Sequence, residues 1–168
     1  MSRPDEPALW FLGTLVRMKL TGEDTDGRFA LWEGTLPHGA APPLHSHPQD
    51  ETFYVLEGEM RVWLGDADGE GRRCRAGDVV FAPSGMPHAF LVESDTARLL
   101  TISTPAGIED MVLGLAEEAT WPWLQPPPDG PRVAPERLEA VWRETGMVIH
   151  GPRPTADEFP ARERSIGA

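Results

Sequence analysis

The strongest constraint on this chain is the spacing of its apolar residues between Leu9 and Thr104, which come in short runs, each closed by turn chemistry. Thr14–Leu20 alternates, with Val16, Met18 and Leu20 to one side and Arg17 and Lys19 to the other. Such alternation marks a half-buried strand, because successive side chains of a strand point to opposite faces. The cluster Thr21 to Gly27 turns the chain before the run Arg28–Gly34. Further strand runs are Glu51–Leu56, Glu59–Leu64, Asp78–Ala82, His88–Glu93 and Ala97–Ser103, punctuated by Gly58, Gly65 to Gly71 and Gly85. Short strands in close succession, with no long helical pattern among them, predict an all-β antiparallel sandwich or barrel.

The pattern changes after Pro105. Ile108, Met111, Val112 and Leu115 fall at i, i+3, i+4 and i+7, the stripe of an amphipathic helix. Leu138, Val141 and Trp142 mark a second helix within Pro135–Thr145, with proline suited to its first turn and Gly146 to its end. Between them, Trp121-Pro122-Trp123 and Pro126-Pro127-Pro128 favour no regular structure. The two indoles are expected to pack on the β domain. The division is a β domain over residues 1–105, a helical C-terminal extension over 106–150 and a polar tail over 151–168, in keeping with the one-domain size of a 168-residue chain.

Fifteen Lys and Arg against 27 Asp and Glu give a net charge of −12, which repels phosphate backbones and anionic lipid headgroups. Nucleic acid and membrane surfaces are therefore set aside as partners. The first residues and the apolar stretch Ala8 to Val16 are too short and interrupted for a signal peptide or membrane helix. A single cysteine, Cys74, excludes an internal disulfide and fits a reducing compartment, so a cytoplasmic location is expected.

Five histidines remain to be placed: His38, His45, His47, His88 and His150. In a strand, His45 and His47 face one way with Cα atoms ~6.6 Å apart, close enough for two imidazoles to converge on one ion. A turn through Pro48-Gln49-Asp50 can return the Glu51 carboxylate beside them. His88, at the start of a later strand, is a natural fourth ligand from across the barrel. Taken singly, each of these residues reads as an ordinary surface or hydrogen-bonded side chain; their joint spacing favours metal binding.

That spacing, Gly39-x5-His45-x-His47-x3-Glu51-x6-Gly58, resembles the first motif of the cupin superfamily at every fixed position, and Gly77-x5-Pro83-x-Gly85-x2-His88 resembles the second. The second motif departs from the family at Val92, where cupins often carry asparagine. The short span from Glu59 to Ala76 between the motifs is similar to that of small single-domain cupins. The segment opening Pro105-Ala106-Gly107-Ile108-Glu109-Asp110 resembles that of quercetin-dioxygenase-like members more weakly.

The resemblance implies a jelly-roll β-sandwich with His45, His47, Glu51 and His88 as metal ligands. It implies one divalent transition metal per chain, Fe, Ni, Mn, Co, Cu or Zn, among which three imidazoles and a carboxylate do not choose. His38 and His150 match no ligand position, Asp50 is one residue off the spacing, and Arg72, Arg73 and Arg75 read as a solvated edge around a packed Cys74.

Phe53 and Val55 share parity with Glu51, as Phe90 and Val92 do with His88. With Met86 they are expected both to fill the core and to line an apolar pocket at the metal, suited to a small aromatic or hydrophobic substrate. The implied activity is a metal-dependent dioxygenase in which Glu51 accepts a proton. A non-oxidative isomerase, cyclase or lyase, and a cupin that only binds a small molecule, stand beside it. A homodimer is expected, because the edge strands and outer apolar positions of a sandwich need cover.

Overall fold

The computed structural model describes residues 7–65, 69–119 and 133–155. The Trp121–Trp123 segment and most of the 151–168 tail lie outside them. The strands are β1 (Leu9–Phe11), β2 (Thr14–Leu20), β3 (Ala30–Pro37), β4 (Leu44–Ser46), β5 (Asp50–Glu57), β6 (Glu59–Leu64), β7 (Arg72–Arg75), β8 (Val79–Ala82), β9 (His88–Val92) and β10 (Thr96–Thr104). Helix α1 (Glu109–Leu115), β11 (Glu117–Glu118), α2 (Pro135–Glu144) and β12 (Val148–Gly151) follow.

Two antiparallel sheets face each other as a jelly-roll sandwich. One runs β11-β1-β2-β3-β10-β5-β8 and the other β12-β4-β9-β6-β7. Alternation in the sequence becomes alternation in burial: every second residue of β3, from Ala30 to Leu36, is buried. The inward residues Leu36, Phe53, Val55, Met60, Val62, Cys74, Val80, Val92, Ala97 and Leu99 form the core between the sheets. Arg72, Arg73 and Arg75 are exposed around the fully buried Cys74, so β7 is a charged edge strand of the kind that resists pairing with other chains.

Gly58 allows the tight turn from β5 into β6. Its φ is +84°, and a Cβ there would lie 2.3 Å from the Thr96 carbonyl oxygen, so no other residue fits.

The segment after Thr104 is woven into both sheets. The stripe Ile108, Val112 packs with Val16, Ala30 and Trp32 in a second core. Buried Glu109 ties α1 to the β2–β3 turn by accepting from Gly22 N at 2.8 Å and Gly107 N at 2.6 Å. β11 extends one sheet beside β1, and β12 extends the other beside β4, with Val148 opposite Ser46 and Ile149 opposite His45. Neither strand carries an alternating apolar pattern: the side chains of Val148, Ile149 and His150 are all exposed.

A candidate metal centre beneath an apolar cavity

His45 sits in the middle of β4, with His47 just past its end, and His88 opens β9. His45 and His88 stand directly opposite each other in the β4–β9 pair. His88 therefore comes from the neighbouring strand and not from across the barrel. Glu51 is the residue that crosses, from β5 of the facing sheet. The turn that delivers His88 is pinned to the first motif: Gly85 N donates to the His47 carbonyl at 2.9 Å, and Ser84 N to Asp50 Oδ1 at 2.7 Å. Asp50 is thus more than a solvated acid; it holds the loop that aims His88. Gly85, at φ +73°, permits this approach.

The four side chains are buried, and one ligand atom from each lies within 4.8 Å of all the others. Ring centroids are 4.4 Å apart for His45 and His88, 5.0 Å for His47 and His88, and 5.7 Å for His45 and His47. His45 Nδ1 lies 2.8 Å from the Pro43 carbonyl and His88 Nδ1 lies 2.9 Å from the Met86 carbonyl. A carbonyl only accepts, so these nitrogens carry the protons, and each ring when neutral presents the lone pair of Nε2. Yet Glu51 Oε2, also an acceptor, is 3.1 Å from His88 Nε2 and 3.1 Å from His47 Nε2. Two acceptors facing each other in a buried place require a proton or a cation. The donor set and this arrangement fit a divalent transition metal.

The electrostatics express the same tension. Burial lowers the pKa of His45 to about 4, helped by the neighbouring His88. For His88, burial also opposes charge, but the hydrogen bond and negative charge of Glu51 outweigh it and raise its pKa above 6.5. Burial pushes the Glu51 carboxyl up, while hydrogen bonds from His47 and His88 and their charge pull harder and hold it at about 2.

His45 and Glu51 open onto a cavity of about 560 Å³. Phe53 and Phe90 line it, with ring centroids 5.9 Å apart. Val55 and Val92, fully buried, pack instead in the core cluster between the sheets. Met86 lines no part of the cavity and contributes its carbonyl to His88. Val92, where cupins often carry asparagine, ties the first motif to the second through its backbone, Gly39 N donating to its carbonyl at 3.0 Å and its own N to the Ala40 carbonyl at 3.0 Å.

The cavity is completed by residues the sequence pattern did not single out for it: Phe11, Trp32, Trp142, Met147 and Arg153. Periodicity marks Trp142 only as a helix face, and nothing local marks Arg153, which reaches the cavity because β12 runs beside β4. His38 and His150 stand apart from the cluster, His38 Nδ1 3.3 Å from the Ser94 carbonyl and His150 Nε2 2.8 Å from Ser46 Oγ.

A family model for the cupin domain matches residues 32–103. Quercetin 2,3-dioxygenase of Bacillus subtilis is 29% identical over 96 residues, 56% of this chain and 28% of that protein. Dimethylsulfoniopropionate lyase DddQ of Ruegeria pomeroyi is 42% identical over 57 residues, 32% of this chain and 26% of that protein. This chain thus matches only about a quarter of the length of either relative. Among solved structures, a predicted oxalate decarboxylase of Thermotoga maritima superposes with a TM-score of 0.55 at 22% identity, over 62% of this chain and 98% of that one. Fold, motifs and family model agree: residues 32–103 form a cupin domain.

Proposed function

We propose that His45, His47, Glu51 and His88 hold one divalent transition metal per chain, and that the protein is a metal-dependent dioxygenase acting on a small aromatic or hydrophobic substrate with adjacent oxygens. One observation carries this reading: a buried three-histidine, one-carboxylate cluster at the floor of a cavity walled by Phe53, Phe90 and Trp32. The similarity to quercetin 2,3-dioxygenase supports it. When bound, the metal supplies an electrophilic centre that acidifies a substrate hydroxyl.

The chain's own residues do the rest. The Pro43 and Met86 carbonyls fix the rings of His45 and His88, the aromatic walls orient an apolar body and exclude water, and Glu51 takes the hydroxyl proton.

Oxygen-electrode measurements on protein loaded separately with each metal, using flavonols and catechols as probes, test the reading. Metal-dependent oxygen uptake is expected; product formed without oxygen uptake contradicts it. That second outcome identifies a lyase or related non-oxidative enzyme, the reading favoured by the 42% identity to the dimethylsulfoniopropionate lyase.

We further propose a homodimer of cytoplasmic chains. β8 is an edge of its sheet, and its outward side chains Val79 and Phe81 are each about half exposed. Tyr54, opposite Val79, and Ile102, on the next strand, are exposed as well and make the apolar group continuous. A second copy burying this face supplies the cover that an apolar edge needs. Among the described residues no helix is long and apolar enough to cross a membrane.

A further inference from the structure

Among the described residues that line the cavity, Arg153 is the single Lys or Arg and Glu51 the single carboxylate. Most of the lining is aromatic, aliphatic or proline. The chain as a whole carries 27 acidic against 15 basic side chains, so a guanidinium at the mouth of an apolar cavity runs against its general charge. Nor is it engaged elsewhere: among the described residues no ion pair or side-chain hydrogen bond involves it, whereas Arg61, Arg73 and Arg98 are each paired with a glutamate.

Its backbone is held in place. Leu44 N donates to the Pro152 carbonyl at 3.2 Å, and Gly151 stands opposite Leu44, next in sequence to His45. The strand pairing that positions His45 therefore also brings Arg153 to the wall of the same cavity.

We infer that the substrate carries, besides its metal-directed oxygens, a carboxylate, and that Arg153 recognises it. This rests on the metal-centre reading above. A guanidinium presents a planar fork of N–H donors that matches a carboxylate two bonds at a time. The substrate class is an aromatic acid that also carries vicinal hydroxyls. Arg153 acts in binding and specificity, not in the chemistry.

Calorimetric titration of metal-loaded protein with caffeate and with its methyl ester tests the inference. Both present the same catechol, and they differ in charge only at the far end. Caffeate is expected to bind about tenfold more tightly than the ester, the scale of one charge-assisted hydrogen bond. The preference should shrink as salt screens the pair. In Arg153→Ala the two affinities should converge, while Arg153→Lys should keep part of the preference. Arg153 is exposed, so loss of folding is not expected, and an unchanged Tm checks this directly.

Equal affinities in the wild-type protein, or a preference that survives Arg153→Ala, overturn the inference. Failure of the metal-centre reading looks different: both probes would bind as well after chelation, or in His88→Ala, as in the metal-loaded protein.

Discussion

In the proposed reaction Glu51 would meet two demands at once, sharing a cation with three imidazoles and accepting a proton. Glu51→Gln keeps the size and one ligating oxygen but removes the basic carboxylate. The variant is expected to retain much of its metal and to lose turnover by about 10²–10⁴-fold, the usual contribution of a general base. Equal metal content with full activity contradicts the assigned role.

The same residues set an acid limit on the metal-free protein. His45 titrates at about 4 in the fold against 6.5 in an unfolded chain, so between those values the unfolded state binds more protons. Its contribution to stability is complete above pH 6.5 and is lost as pH falls toward 4. Glu51, held at about 2 against 4.5, adds a loss of the same sign below pH 4.5. His88, raised above 6.5, opposes this near pH 6.5, where its folded form binds more protons than its unfolded form, and adds no slope at lower pH once both are protonated. Chelated protein should therefore melt at progressively lower temperature from pH 6.5 to pH 4 in calorimetry; a flat profile contradicts this account of the cluster.

At the scale of elements, the decisive arrangement is β12 against β4 and β9 against β4. Strand β4 is only three residues long and carries His45, so its position depends on neighbours on both sides. Truncation before Val148 removes one neighbour and the Leu44–Pro152 bond. Each lost ladder bond is worth about 1 kcal/mol, so Tm should fall by several degrees and metal affinity should weaken. An unchanged Tm and affinity refute the supporting role.

This region also marks where the sequence stops being informative. β2, β5, β6, β8, β9 and β10 are long or apolar enough for alternation to show, and the glycine-punctuated motifs locate the four cluster residues without a structure. β4 and β12 are too short, and β12 too exposed, to leave a local pattern; only pairing with distant residues makes them strands. For the same reason parity of Val55 and Val92 with the cluster residues does not bring them to the cavity. Both pack in the core between the sheets, and the walls are supplied by Trp32, Trp142 and Met147 from elsewhere.

For the whole molecule, the apolar face of β8 is expected to hold two copies together. Phe81→Lys puts a charge into that face without touching the core, since Phe81 points outward and is about half exposed. The wild-type chain should scatter light as a dimer at micromolar concentration and the variant as a folded monomer. A wild-type monomer contradicts the assignment.

The central claim is that the fold is assembled around a metal, and it is tested most directly by counting that metal. The chain, purified without an affinity tag, should contain close to one transition-metal ion per protein by plasma mass spectrometry. His88→Ala should contain far less, and chelation should lower the Tm of the wild-type protein but not that of the variant, because the ion binds only the folded arrangement. A wild-type protein that neither carries a transition metal nor takes one up, or a His88→Ala variant as fully loaded as wild type, contradicts the account.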